Sequence, residues 1–212
     1  MNNQVPSRRG LHCLIVIGAS TGGTRTLAEL VSQLPPLPAC MVIVQHMPLF
    51  INESLARTLA NHTSSQVRLA RDGDVLQDGL ILLAPSGVHC YIEHNHSIRL
   101  AEGEKVNYVC PSIDVTMLSV TKPISSMRLA GVLLTGMGKD GAVGLAHIRK
   151  AGGLTIAQNK ATCAVYGMPA EAVKLGAVMH ELPPDAIAQK LANFALHHPV
   201  HSSVAAQTHA RI

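Results

Sequence analysis

The sequence predicts an α/β fold: a doubly wound, mostly parallel sheet flanked by helices, with an added antiparallel hairpin. Three observations carry this reading. Apolar runs of strand length alternate with segments of helical spacing. The runs are apolar at nearly every position, as in strands covered on both faces, rather than at every second one. Finally, 47% hydrophobic against 14% charged residues in a chain of 212 suits one well-filled core and not a disordered chain. Strands alternating with helices imply right-handed crossovers and hence a parallel sheet.

Each element follows from local pattern. Leu11 to Gly18 reads as a buried strand, and Thr24 to Leu34 as a helix that "PPLP" stops. "CMVIVQH" is a second strand, and Asn52 to Asn61 carries a helical stripe through Leu55 and Leu59. "GLILLAP" reads as a strand, while "HCYIEHNHSIRLA" alternates like two strands joined at Asn95, the expected hairpin. In "PSIDVTMLSVT", Pro111 and Ser112 stand in helix-start positions, and "LAGVLLTG" is again fully apolar. A helix over 142–150, a strand at "LTIAQ", a short helix near 170–174, a strand at "AVMHEL" and a last helix from Pro184 to about His197 complete the alternation. No repeat or linker interrupts it, so the expected division is a tail over 1–10, one domain over 11–198 and a loose tail over 199–212.

Composition excludes several function classes. The net charge is +4, but the Lys and Arg residues are scattered, and no Trp, three Tyr and two Phe supply few stacking rings, so nucleic acid is not an expected partner. Five cysteines, Cys13, Cys40, Cys90, Cys110 and Cys163, form no C-x-x-C pair; free thiols in apolar runs suit a reducing compartment, and a cytoplasmic location is expected. Arg8 and Arg9 before an apolar run loosely resemble a twin-arginine signal, but the run is short and leads into a glycine turn. No run is long enough for membrane insertion. His94 and His96 have H-x-H spacing without an apparent third ligand, and His197, His198 and His201 read as a solvated tail, so neither a metal nor a cofactor is expected.

The first strand ends in "VIGASTGGTRTL", where a serine sits among glycines. A dinucleotide turn would need glycine at Ser20 and an acidic residue after the next strand, which ends in "VQHMP". A P-loop would need lysine where Thr24 stands. A phosphate- or nucleotide-binding module therefore remains only as the alternative. Residues 18–22 also spell G-x-S-x-G, the sharp strand-to-helix turn that exposes a serine above a sheet.

A serine nucleophile needs a base and an orienting acid at the same sheet edge. His46 ends the second apolar strand, and Asp140 lies just past "LLTG". In a parallel sheet the carboxyl ends of those strands share one rim, which places Ser20, His46 and Asp140 together. The expected roles are nucleophile, general base and orienting acid, with the backbone N–H groups of Thr21 and Met137 as oxyanion donors. The order Ser, His, acid differs from that of the α/β-hydrolases. Taken singly, each residue has a plainer use: Ser20 as a helix cap, His46 as a buried hydrogen-bonded histidine, Asp140 as a turn residue. Cys163 is a rival nucleophile without an evident activating histidine.

The set "GASTGG", "QHMP", "LLTGMGKDGA", "IAQN" and "YGMP", in that order, resembles the catalytic domain of the chemotaxis protein-glutamate methylesterases over about Leu11 to Leu196. The resemblance implies a serine hydrolase that cleaves glutamate γ-methyl esters on the cytoplasmic helices of methyl-accepting chemoreceptors and releases methanol; some members also deamidate receptor glutamines. It assigns Ser20, His46 and Asp140 to the family's nucleophile, base and acid positions, and Thr21 and Met137 to its oxyanion-hole positions. Two departures stand out. Many members begin with a receiver domain, whereas Met1 here precedes the matching region by about ten residues, so control by a separate receiver or regulatory protein is the expectation. The family often has Arg-Pro-Ser where this chain reads "VCPSID", so Cys110 replaces an arginine.

Overall fold

The computed structural model describes residues 11–120 and 127–196. The two expected tails, 1–10 and 199–212, lie outside them. The chain runs β1 (Cys13–Ala19), α1 (Gly23–Ser32), β2 (Cys40–Gln45), a single 3₁₀ turn (Leu49–Ile51), α2 (Asn52–Ala60), β3 (Gln66–Leu69), β4 (Leu80–Leu83), β5 (His89–Ile92) and β6 (Ile98–Ala101). It continues with α3 (Ile113–Ser119), β7 (Arg128–Leu133), α4 (Ala142–Lys150), β8 (Leu154–Gln158), α5 (Met168–Lys174), β9 (His180–Leu182) and α6 (Pro184–Leu196).

Seven strands form one sheet in the order β3-β4-β2-β1-β7-β8-β9, and every adjacent pair is parallel. The chain first winds outward from β1 through β2, then returns to β1's other side with β7, so the winding reverses between β1 and β7. Crevices at such reversals, beyond the carboxyl ends of the strands, are where open α/β sheets bind ligands. The expected hairpin is present as an antiparallel pair, β5 with β6, separate from the main sheet.

The apolar runs are explained by burial on both faces. In β1, Ile15 and Ile17 pack into a cluster with Leu27, Leu30, Leu59 and Leu191, whereas Leu14 and Val16 pack into another with Ile113, Leu145 and Met168. Helices α1, α2 and α6 cover the first face; α3, α4 and α5 cover the second, beside the hairpin. Each large residue so placed removes apolar area from water at roughly 25 cal/mol per Å².

One strand was not predicted from the sequence. Residues 66–69, "QVRL", form β3 at the sheet edge, hydrogen-bonded only to β4, and none of the four is fully buried. An edge strand needs neither an apolar run nor a clean alternation, so its pattern is weak. Elsewhere the expected elements are present with shifted ends: the last strand spans only His180–Leu182, and the short helix begins earlier, at Met168. Among the described residues no helix is long and apolar enough to cross a membrane.

Candidate active site

Three loops at the carboxyl ends of β1, β2 and β7 meet at the reversal of the winding. Ser20 follows β1 directly, His46 follows β2, and Asp140 lies in the loop between β7 and α4. The sequence-predicted residues Ser20, Thr21, His46, Met137 and Asp140 all line one cavity of about 440 Å³, together with Asn107, Tyr108, Val109, Gly138 and Lys139.

The Ser20 turn is held by its backbone. The N–H of Ser20 donates to the carbonyl of Thr135 at 3.0 Å, and its own carbonyl accepts from the N–H of Gly23 at 2.8 Å. The Gln45 side-chain amide donates to the Ser20 carbonyl at 2.9 Å and to the His46 carbonyl at 2.8 Å, tying the two loops together. Thr135, fully buried, donates its hydroxyl to the Thr21 carbonyl at 2.9 Å. Gly22 enters α1 at φ 81, a left-handed conformation that a side chain would strain. Gly136 passes so close that a Cβ there would lie 2.7 Å from the Cβ of Ser20. Among the described residues, the Ser20 hydroxyl and the N–H groups of Thr21 and Met137 have no hydrogen-bond partner. They are left for whatever enters the cavity.

The Asp140 end is the opposite. Its Oδ2 accepts from His46 Nε2 at 2.9 Å and from the N–H of Ile113 at 2.6 Å. Its Oδ1 accepts from the Ser112 hydroxyl at 2.6 Å, the Asn107 amide at 2.9 Å and the N–H of Asp114 at 3.3 Å. Asp140 is only 3% exposed. Burial, the largest single influence, pushes its carboxyl upward. The bonds from His46, Ser112, Asn107 and Ile113 together outweigh it and hold the group below its ordinary 3.8. Asp140 is therefore ionised at neutral pH.

An ionised carboxylate only accepts hydrogen bonds, so the His46 proton facing it sits on Nε2, and in the neutral ring Nδ1 carries the lone pair. In the serine-protease template the ring is turned the other way, with Nδ1–H toward the acid. The chemical capacity is the same: one nitrogen fixed by a carboxylate, the other able to accept a proton.

Sequence reasoning missed several contributors. In the sequence Ser112 shows only as a helix start; in the structure it caps α3, accepting from the N–H of Val115, and it also donates to Asp140. Asn107 and Asp114 carried no signal beyond an asparagine between valine and tyrosine, a mild turn cue. Cys110 is partly buried and is not among the residues lining the cavity, and burial raises its thiol. The rival Cys163 thiol is pushed up to about 11, chiefly by burial, which leaves it protonated at neutral pH. His94 and His96 sit in the β5–β6 connection, away from the cavity lining.

The site therefore sets a serine turn and a largely buried His–Asp pair at the reversal of winding in a doubly wound α/β domain. The family follows from comparison. A model described as CheB methylesterase matches residues 15–191, and this chain belongs to that family. The protein-glutamate methylesterase/protein-glutamine glutaminase of Symbiobacterium thermophilum is 46% identical over 179 residues, 84% of this chain and 49% of that protein. A second such protein, from Pseudomonas aeruginosa, is 46% identical over 181 residues, 84% of this chain and 52% of that one. The chain thus spans about half the length of the curated relatives it matches. The crystal structure of the Thermotoga maritima CheB methylesterase catalytic domain superposes with a TM-score of 0.79 at 36% identity, covering 85% of this chain and 97% of that one. None of these comparisons supports the phosphate- or nucleotide-binding alternative.

Proposed function

We propose that this chain is a serine hydrolase that cleaves glutamate γ-methyl esters on the cytoplasmic helices of methyl-accepting chemoreceptors, releasing methanol. The observation that carries the reading is the Asp140-held His46 ring lining the same cavity as an unbonded Ser20 hydroxyl. His46 Nδ1 takes the hydroxyl proton as Ser20 Oγ attacks the ester carbonyl carbon. The oxyanion that forms is received by the N–H groups of Thr21 and Met137, which need no reorganisation because they have no partner in the free site. His46 then returns the proton to the departing methoxide, leaving a γ-glutamyl ester on Ser20. Water, deprotonated by the same ring, hydrolyses that ester and restores Ser20, with the glutamate carboxylate as product. The Ser20–His46 bond is not made in the free site, as is common before substrate is in place.

A glutamine amide follows the same route with ammonia as leaving group, and the relatives named protein-glutamine glutaminase favour that second activity. A receptor substrate of this kind, methylated on its cytoplasmic helices, implies that the domain acts in the cytoplasm. Release of labelled methanol from methylated receptor preparations tests the proposal. Wild-type chain should release it and Ser20→Ala should not; demethylation by the alanine variant at the wild-type rate rejects the assignment.

A further inference from the structure

Behind Asp140 lies a second buried carboxylate that the proposed chemistry does not use. Asp114 is 5% exposed, and its Oδ1 accepts the N–H of Gly144 in α4 at 2.7 Å. Burial first, and the neighbouring charge of Asp140, raise its carboxyl, against the hydrogen bonds that lower it. Two like charges this close need a donor between them, and the Asn107 side chain provides it. Its Nδ2 donates to Asp114 Oδ2 at 2.8 Å and to Asp140 Oδ1 at 2.9 Å, one amide hydrogen for each carboxylate.

The backbone presents Asn107 at some cost. Val106 and Val109 exchange both N–H···O bonds at 3.1 Å, closing a two-residue turn whose central residues have φ 53 at Asn107 and φ 68 at Tyr108. Such a turn takes asparagine readily at the first position, but a non-glycine residue at the second is disfavoured. Strained backbone persists where surrounding contacts over-determine it, and these cluster at functional sites. Here the turn puts Tyr108, 92% exposed, at the mouth of the cavity and Asn107 against Asp140. Ser112 and the α3 backbone also bind Asp140, but from the core side; Asn107 reaches it from the cavity wall.

We propose that Asn107, anchored by Asp114, is a positioning residue that sets the orientation of Asp140 and, through it, of the His46 ring. The inference rests on the roles proposed above for Asp140 and His46. Asn107 does not touch the reacting atoms; it acts by bridging the two carboxylates so that Oδ2 of Asp140 faces Nε2 of His46.

The test uses the full chain and Asn107→Gly, which removes the amide and suits the positive φ, so the turn should survive. Two quantities are read: kcat and KM on a receptor peptide carrying a glutamate γ-methyl ester, and the proton NMR resonance of His46 Nε2–H without substrate. Loss of one hydrogen bond to a charged group should lower kcat about 10- to 100-fold with KM unchanged, and the resonance should move or broaden. Unchanged kcat overturns the inference, as does a rise in KM alone, which would make Asn107 a substrate contact. Because the resonance is read without substrate, a chain inactive on methyl esters would defeat the proposed function and still decide this question: a moved signal supports the bridge, an unmoved one rejects it. Should the glycine variant fail to fold, Asp114→Asn replaces one acceptor oxygen with a donor and is judged by the same two quantities.

Discussion

The two ends of the candidate site are built on opposite principles. Asp140 is saturated, with five hydrogen bonds on two oxygens and almost no exposure. Ser20 is fixed only through its main chain, by Thr135, Gly23 and the Gln45 amide, while its hydroxyl and the adjoining N–H groups are left open. The difference teaches where such a site can leave polar groups unpaired. A buried carboxylate without partners would be neutralised or would destabilise the fold. Donors at the cavity wall are reached by water or substrate, so leaving them open costs little and prepares them for the charge that develops in the reaction.

The contrast is most sharply tested at its open end. Ser20→Ala removes an atom that bonds nothing in the free site, so turnover should fall about 10⁴- to 10⁶-fold with the melting temperature unchanged; a variant that loses stability with activity would show the hydroxyl to be structural. Asp140→Asn tests the saturated end. An asparagine must aim its NH₂ either at His46 and Ile113 or at Ser112 and Asn107, all of them donors. It should lose about 10⁴-fold in rate and, unlike the serine variant, also lose stability, measured by thermal unfolding.

Gly136→Ala probes the open end from its backbone side, because the new Cβ would press on Ser20 and on the Met168 sulfur. Overpacking of this kind costs about 1–3 kcal/mol, and displacement of the proposed nucleophile by an ångström costs about 10²-fold, so kcat should fall by that order with the domain still folded. Ser112→Ala removes both the α3 cap and one Asp140 donor. A loss of about 1 kcal/mol in denaturant unfolding is expected from the cap, with a rate effect smaller than that of Asp140→Asn.

Acid gives the mildest probe. Asp140 is held below 3.8, so its contribution to stability is complete above that pH and disappears as pH falls through its lower folded value. Asp114, raised by burial, works in the opposite direction, since its buried charge is relieved as pH falls. Melting temperatures followed below pH 4 should therefore decline more steeply in the wild type than in Asp140→Asn, whereas Asp114→Asn should differ from the wild type above 3.8, where any stability it has gained over the wild type shrinks as pH falls toward that value. Parallel curves for all three would show that neither carboxylate's environment is the one described.

Much of this arrangement was legible from residue order. Ser20, His46 and Asp140 each follow an apolar run, and parallel strands bring such positions to one rim. The edge strand at 66–69 was not legible, because with one neighbour and partial exposure it imposes little pattern. Nor was the bridge through Asn107 and Asp114, for which neither spacing nor residue type gives a cue.

The order of apolar runs and helical stripes by itself determined six of the sheet's seven strands, the hairpin and the chemical types gathered at the rim, because burial is read directly from hydrophobic periodicity. Tertiary structure alone decided which way the His46 ring faces, that Ser112 caps α3 and binds Asp140 at once, and that one amide separates two buried carboxylates. Hydrogen-bond partners distant in sequence are chosen by three-dimensional proximity, on which a one-dimensional pattern is silent.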